Sequence, residues 1–279
     1  MDNFPSADKS SKPSHVPPRV AVSYISQGDF ARAKVLAEKL NLPLHSPTGN
    51  ELIQTGEPEY LLQVADQDLA IIACDRSHGP VRIDFTAGKT AHRKQYGGGR
   101  GQPLARALGI GRIKVNHVVD ATAGLGSDAF VMATLGLHIT LLEQSAILST
   151  MLQNAIEAGN EHQPTAETTN RMNVITANAV EWLQDKTHPV ADVIYLDPMY
   201  PPRVKSAQVK KGMQLLHRLI GPDLQSEHLL RIATEQAKKR VVVKRPAHAD
   251  PLLADAADLP QRTEIRSPNT RYDIYTINP

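Results

Sequence analysis

The fold is indicated most clearly by one stretch of sequence, Val118–Asp128, which reads VVDATAGLGSD. Apolar residues lead into a carboxylate, and small residues with two glycines follow it. A strand that enters a helix through a tight turn has this pattern, because glycine lets the backbone approach a ligand and the first turn of a helix leaves N–H groups free. We therefore predict a strand, a loop and a helix here, with a ligand site at the loop.

Strands and helices alternate along the rest of the chain from Asn116 onward. Further strands are predicted at 137–142, 174–176, 190–196 and 240–243, with helical segments between them. Such alternation is typical of a parallel sheet with helices on both faces. Two last strands, at 263–266 and 272–277, predict an antiparallel hairpin at the sheet edge. The predicted class is α/β, doubly wound and Rossmann-like.

Composition divides the chain into four segments. Residues 1–18 are rich in Ser, Pro and Lys and are expected to form a disordered tail. Short apolar runs in 19–85 predict a small α/β N-terminal subdomain. Residues 86–115, a basic glycine-rich connector, lead to the α/β domain at 116–279. Cys74 ends an apolar run and is expected to be buried.

Several protein classes are excluded by composition. The chain has 279 residues, 41% of them apolar and 22% charged, which is ordinary for a globular protein. A single cysteine and histidines without ligand spacing argue against a disulfide framework and a metal site. No apolar run approaches the roughly 18 residues of a membrane helix, and the start has no signal-peptide pattern. We expect a cytoplasmic protein without metal or membrane association.

The glycine loop admits two ligand classes. Gly124-x-Gly126-x-x-Ala129 matches a dinucleotide fingerprint, with Glu143 at the end of the next strand, which leaves an NAD-dependent oxidoreductase open. Asp120 favours another ligand, because a carboxylate repels a pyrophosphate but attracts the cationic amino-acid end of S-adenosylmethionine (SAM). Glu143 would bind ribose hydroxyls in either class.

A second motif, Val193–Pro202 (VIYLDPMYPP), is a predicted strand that ends in a carboxylate, prolines and an aromatic residue. Prolines fix the backbone and leave carbonyls free to accept hydrogen bonds. Asp197 and the Pro198 carbonyl would accept from the exocyclic amine of a base, on which Tyr200 would stack. Strand ends beside the switch point of a doubly wound sheet meet at one crevice, so both motifs are expected to share a site.

Basic residues are clustered although the net charge is only +2. Such clusters favour a phosphate-binding face, and solvated helix faces are the alternative explanation. The candidate RNA-binding residues are Arg93, Lys94, Arg100, Arg203, Lys205, Lys210, Lys211, Lys244 and Arg245.

Taken together, three segments resemble the small-subunit ribosomal RNA methyltransferase J family: Ala91–Gly101 (AHRKQYGGGRG), Asp120–Gly126 (DATAGLG) and Asp197–Pro201 (DPMYP), with Lys210-Lys211 beyond them. The resemblance covers residues 84–275. It implies SAM-dependent methylation of the exocyclic N2 of a guanine in 16S rRNA, guanine 1516 in the usual numbering, with 16S rRNA or the small ribosomal subunit as partner.

The resemblance also implies a set of cofactor contacts. Beside Asp120, Gly124 and Gly126 of the loop, these are Ser127, Asp128, Glu143, Gln144, Asn178, Ala179 and Asp197. Ser127 and Gln144 stand where the family pattern has more basic residues, and Asn178-Ala179 replaces a hydroxyl-rich pair.

Three other functions stay open on the residues alone. An NAD-dependent oxidoreductase would leave the Asp197–Pro202 loop unexplained. A catalytically silent RNA-binding protein would keep the basic residues only. An adenine-N6 or protein-glutamine methyltransferase uses a similar loop, although Met199 here replaces its second proline. Neither motif contains a cysteine, which argues against the thiolate chemistry of ring-carbon methylation. The oligomeric state is not indicated.

Overall fold

The computed structural model describes residues 17–46, 58–87, 99–188, 191–199, 218–219, 221, 225–253 and 257–277. The strands are β1 (Val20–Tyr24), β2 (Leu44–His45), β3 (Tyr60–Ala65), β4 (Asp68–Ala73), β5 (Val81–Arg82), β6 (His117–Asp120), β7 (His138–Glu143), β8 (Met172–Thr176), β9 (Val193–Leu196), β10 (Arg240–Pro246), β11 (Arg262–Arg266) and β12 (Thr270–Thr276). The helices are α1 (Phe30–Leu40), α2 (Pro103–Leu108), α3 (Ser127–Thr134), α4 (Ala146–Glu161), α5 (Gln163–Thr169), α6 (Ala179–Gln184) and α7 (Ser226–Gln236). The predicted tail, apart from residues 17–18, lies outside the described residues.

The N-terminal sheet has the strand order β2-β1-β3-β4-β5. β1 pairs in parallel with β2 and β3, while β4 pairs antiparallel with β3 and β5. Buried and partly exposed residues alternate along β3, as expected for a sheet with one covered face. Helix α1 contributes Ala33, Leu36 and Ala37 to the core of this sheet and ends at Asn41, which has the left-handed backbone conformation.

The main sheet has the order β11-β12-β10-β9-β6-β7-β8. Strands β6 to β10 pair in parallel, and β12 lies antiparallel between β10 and the edge strand β11. The chain moves from β6 outward through β7 and β8 and then returns to β9 on the other side of β6. This reversal confirms the doubly wound Rossmann-like class and places the switch point between β6 and β9.

Helices cover both faces of the main sheet. Neighbouring residues of a strand point to opposite faces. Val118 therefore packs in the cluster formed by α2, α3 and α4, and Val119 packs in the cluster formed by α6 and α7. Helix α4 also joins the two sheets, because its Leu148 and Met151 pack in the core of the N-terminal sheet while Leu152 packs in the core of the main sheet.

The predicted connector contains a helix that we did not expect from the sequence. Leu104 and Leu108 of α2 are buried in the core of the main sheet. Phe85, just before the connector, stacks on Phe130 with ring centroids 5.0 Å apart. The glycines Gly97 and Gly98 lie outside the described residues, and Gly99 begins a short 3₁₀ turn.

One smaller prediction is wrong. Cys74 is exposed, because β4 ends at Ala73 and the chain turns there. Helix α4 contains Gly159 in its last turn and continues to Glu161. A Cβ atom at Gly159 would lie 2.5 Å from Thr169 Cγ2, so this glycine permits the close approach of α5.

We expect Gly126→Ala to lower the free energy of unfolding by about 1–3 kcal/mol more than Gly136→Ala. Both glycines have positive φ, +69° and +93°, so both substitutions carry backbone strain, and Gly136 lies further from the left-handed minimum than Gly126. A methyl group at Gly126 would also lie 2.7 Å from Leu152 Cδ2, whereas none of the structure's described atoms lies within 4 Å of one at Gly136. Urea unfolding without added ligand measures both losses, and equal losses would contradict this packing role.

Candidate functional site

The loop between β6 and α3 has the conformation that its small residues predict. Gly124 has a φ of +54°, and a Cβ atom there would meet nothing closer than the Thr122 carbonyl oxygen at 3.9 Å. Gly126 donates its N–H to the Ala123 carbonyl at 2.8 Å, which closes the turn before α3. The open space beside Gly124 leaves room for a ligand against the backbone.

Asp120, at the end of β6, is 2% exposed. Its Oδ1 accepts the N–H of Thr122 at 3.1 Å. The pKa of Asp120 is raised to about 8: burial is the main cause, the hydrogen bond from Thr122 opposes it, and the carboxylates of Asp128 and Asp197 add to the increase while Lys244 lowers it. Asp120 is therefore largely protonated at neutral pH. The sequence predicts an ionised Asp120 that faces a cation, whereas the structure encloses a mostly neutral acid.

Glu143, at the end of β7, holds the glycine loop in place by accepting backbone hydrogen bonds. Its Oε2 accepts the N–H of Gly124 at 3.0 Å and its Oε1 accepts the N–H of Ser145 at 2.8 Å. Burial raises the pKa of the Glu143 carboxyl, and these backbone donors act in the opposite direction. Each carboxylate oxygen has a second lone pair. Glu143 can therefore hold the loop and still accept hydrogen bonds from a vicinal diol.

Lys244, on β10, connects the two predicted motifs. Its Nζ donates to Asp128 Oδ2 at 2.6 Å and to Asp197 Oδ2 at 2.8 Å. Tyr195 donates its hydroxyl to the same oxygen of Asp128 at 2.7 Å. Burial alone would lower the pKa of Lys244, but the two carboxylates outweigh it and raise the pKa, so the ammonium group stays charged.

Asp197 follows β9 and is the more accessible of the two acids that bind Lys244. Its side chain is 41% exposed, against 16% for Asp128. Burial by its surroundings raises the pKa of Asp197, Lys244 lowers it and Asp128 adds to the increase. The backbone N–H of Asp197 donates to Thr122 Oγ1 at 2.6 Å, and Pro198 behind it is buried. The loops after β6 and β9 therefore meet.

The remaining predicted cofactor residues lie along the same sheet edge. Ser127 begins α3 and is exposed, and Gln144 is exposed directly after β7. Asn178 follows β8 and caps α6, because its Oδ1 accepts the N–H groups of Val180 and Glu181 at 2.9 and 3.3 Å. Its Nδ2 donates to Gln225 Oε1 at 3.3 Å, and Ala179 begins the helix.

Two of the residues predicted to bind RNA, Lys244 and Arg245, form hydrogen bonds inside the protein. Lys244 lies between carboxylates inside the site. Arg245 is 7% exposed, and its guanidinium donates to the Asp250 carbonyl at 2.9 and 3.2 Å. Both side chains are held by partners within the protein. Of the other predicted residues, those outside the described ranges are Arg93, Lys94, Tyr200, Arg203, Lys205, Lys210 and Lys211. Arg100 is described in its backbone only.

Sequence reasoning missed Thr122, Tyr195 and the role of Lys244. Tyr195 lies in the apolar strand β9 and is fully buried, where a tyrosine hydroxyl needs a partner. Burial, followed by the charges of Asp128 and Asp197, raises the pKa of Tyr195 well above its usual value, so it remains a donor. Lys244 follows three valines near the carboxyl end of a parallel strand, which is a signal for a lysine in a site.

The described part of the chain contains neither a candidate metal site nor a candidate membrane helix. The His, Cys, Asp and Glu side chains in these ranges form no group of three or more that could hold a metal ion. In the same ranges, none of the helices has the length and apolar character to cross a membrane.

Comparisons with known proteins give one consistent family. A family model described as "Putative SAM-dependent methyltransferase" matches residues 48–277. The protein named Ribosomal RNA small subunit methyltransferase J from Hydrogenovibrio crunogenus is 43% identical over 259 residues, covering 88% of this chain and 91% of that protein. Its namesake from Colwellia psychrerythraea is 39% identical, covering 92% of each. The crystal structure of the SAM-dependent methyltransferase NGO1261 from Neisseria gonorrhoeae matches with a TM-score of 0.69 and 29% identity, covering 92% of this chain and 96% of that one.

We expect Asp120→Asn to remove a pH dependence of stability. The pKa of Asp120 is higher in the folded state than in the unfolded state. Protonation of Asp120 therefore contributes stability that is complete below the unfolded pKa of about 3.9 and is lost as the pH rises through about 8. Between pH 6 and 8, the free energy of unfolding of the wild type should fall by about 2 kcal/mol relative to the variant. Urea unfolding at both pH values measures the difference.

Asp192→Asn serves as the matched control for this experiment. Burial is the largest single contribution and raises the pKa of Asp192. The hydrogen bonds that Asp192 accepts from Lys239 and from backbone N–H groups together outweigh burial, so the pKa is lowered. It is therefore ionised in both folded and unfolded states across the same pH range, and its difference from the wild type should stay constant. Parallel behaviour of the two variants would contradict the raised pKa of Asp120.

Proposed function

Because the chain belongs to the ribosomal RNA small subunit methyltransferase J family, we propose that it transfers a methyl group from SAM to the exocyclic N2 of a guanine in 16S rRNA, guanine 1516. One observation carries this proposal beyond the family's name. The ligand loop after β6 and the Asp-Pro loop after β9 are joined by the hydrogen bond from the Asp197 N–H to Thr122 Oγ1. Donor and acceptor sites of a transfer reaction would therefore adjoin.

The residues of the site fit SAM. Glu143 offers acceptor lone pairs for ribose hydroxyls, and the space beside Gly124 admits a ligand close to the backbone. Among the described residues of the site, Asp120 is largely neutral, but the carboxylates of Asp128 and Asp197 outnumber the single ammonium group of Lys244, so the net charge is negative. A sulfonium and an ammonium group suit this environment, whereas a pyrophosphate does not. The same charges disfavour the alternative of an NAD-dependent oxidoreductase.

The chemistry needs alignment more than acid–base power. Bound SAM supplies a methyl group on a positively charged sulfur, and the amine nitrogen forms the new bond as the C–S electrons remain on sulfur. Asp197 and the Pro198 carbonyl accept the hydrogens of the amine and direct its lone pair. Once the nitrogen is methylated it becomes acidic, and Asp197 or water takes its proton. Holding the reacting atoms about 3–3.5 Å apart supplies most of the rate.

Pro198 contributes rigidity to this arrangement. It is buried, its ring fixes φ, and it has no N–H to compete for the acceptor groups around it. We propose that Tyr200 stacks on the target base and that the basic residues around Arg93 and Lys210 bind the phosphates of the RNA. These three residues lie outside the described part of the chain.

We expect the protein to transfer labelled methyl groups from SAM to small-subunit particles or RNA taken from cells that lack it. Nucleoside analysis should find the label in N2-methylguanosine, which is the product of the proposed reaction. Label in N6-methyladenosine would identify an adenine methyltransferase, and label in protein would identify a glutamine methyltransferase. SAM binding without transfer to RNA would refute the proposal.

We expect Asp197→Ala to lower kcat for RNA methylation at least about a hundredfold, because a lost positioning group misaligns the amine. Asp258→Ala is the matched control, since Asp258 forms an exposed ion pair with Arg231 elsewhere on the surface. Steady-state kinetics and circular dichroism should be measured on both. A folded Asp197→Ala protein that keeps kcat within about tenfold of the wild type would show that Asp197 does not position the substrate.

A further inference from the structure

We propose that Lys244 is a positioning residue for methyl transfer: its ammonium group holds the carboxylates of Asp128 and Asp197 together and keeps Asp197 ionised and oriented towards the substrate amine. This inference rests on the proposed function, because it takes Asp197 as the group that binds the amine. It assigns to Lys244 a role in the transfer step and not in RNA binding.

The first support for this inference is the geometry of Lys244, Asp128 and Asp197. Lys244 Nζ lies 2.6 Å from Asp128 Oδ2 and 2.8 Å from Asp197 Oδ2, which are distances of charge-assisted hydrogen bonds. Asp128 belongs to the first turn of α3, and Asp197 follows β9. One ammonium group therefore joins the cofactor side of the site to its substrate side.

The two oxygens of the Asp197 carboxylate have different surroundings. Its Oδ2 is bound by Lys244. Among the described residues, none donates a hydrogen bond to its Oδ1. Because the lysine fixes one oxygen and the Thr122 hydroxyl oxygen holds the backbone N–H, the second oxygen has a defined direction. A carboxylate held at two points in this way can present Oδ1 to a donor.

The charges around Asp197 show why a cation is needed. Among the described residues, the titratable groups that face this centre are Asp120 on β6, Asp128 on α3, Tyr195 on β9, Lys244 on β10 and Tyr272 on β12. Among these Lys244 is the single cation. Burial and Asp128 raise the pKa of Asp197, and Lys244 is the group that lowers it. Without the lysine, Asp197 would take up a proton at a higher pH, and a protonated Asp197 could no longer present Oδ1 as an acceptor to the amine.

The test compares Lys244→Met and Lys244→Arg with the wild type between pH 6 and 9. We expect Lys244→Met to lower kcat at least about a hundredfold at pH 7. The deficit should shrink about tenfold or more as the pH rises, because a higher pH favours the ionised form of Asp197 even without the lysine. Lys244→Arg, which keeps the charge, should retain the acid limb of the wild-type pH profile at an intermediate kcat. Lys244→Gln replaces Lys244→Met in this comparison if the methionine variant does not fold.

Lys239→Met is the matched control. Lys239 also lies beside β10 and forms an ion pair with Asp192 at 2.9 Å, and its side chain is 32% exposed against 28% for Lys244. Asp192 precedes β9 at the opposite end of the strand from Asp197, so this pair is remote from the site. We expect Lys239→Met to leave kcat and the pH profile unchanged.

Two results would overturn the inference. A Lys244→Met deficit that stays constant from pH 6 to 9 would mean a structural role. A raised KM for RNA with unchanged kcat and a weaker dependence on salt would mean that Lys244 binds an RNA phosphate. Neither result affects the proposed function, which fails separately if the wild type forms no N2-methylguanosine.

Discussion

The parallel pairing of β6 with β9 is the constraint on which the site depends. The register sets Asp120 beside Tyr195, so both strands end at the same edge of the sheet. The chain leaves these two strands towards opposite halves of the sheet, and a crevice forms where the halves separate. The hydrogen bond from Asp197 to Thr122 then fixes the two loops relative to each other across that crevice.

Charge is the second organising feature of this crevice. Acidic groups that lose water are costly unless a cation or hydrogen-bond donors compensate them. Here Asp120 is compensated by protonation, Glu143 by backbone N–H groups, and Asp128 by Lys244 and Tyr195. A protein with these buried acids is less stable than one with well-packed apolar residues at the same edge of the sheet would be, because apolar residues need no compensating partners. The remaining excess of acid suits a cationic cofactor.

The rest of the chain supports this edge from two sides. Helix α4 packs against both sheets, and its N-cap Ser145 lies two residues after Glu143. The same turn therefore fixes a cofactor residue and the position of the N-terminal sheet. On the other side, Arg218 forms an ion pair with Glu59 and donates to the Tyr60 hydroxyl at 3.1 Å, which connects the segment after the Asp-Pro loop to β3.

The sequence by itself determined the class of the fold and most of its elements, though not helix α2, because periodicity and turn-forming glycines are local signals. It also determined the two motifs, since a strand followed by a carboxylate is visible in one stretch of chain. Tertiary structure alone decided how these residues act. Asp120 becomes neutral because its neighbours enclose it, and Lys244 enters the site because β10 pairs with β9. Burial and partners come from segments far apart in the chain, so no local pattern contains them.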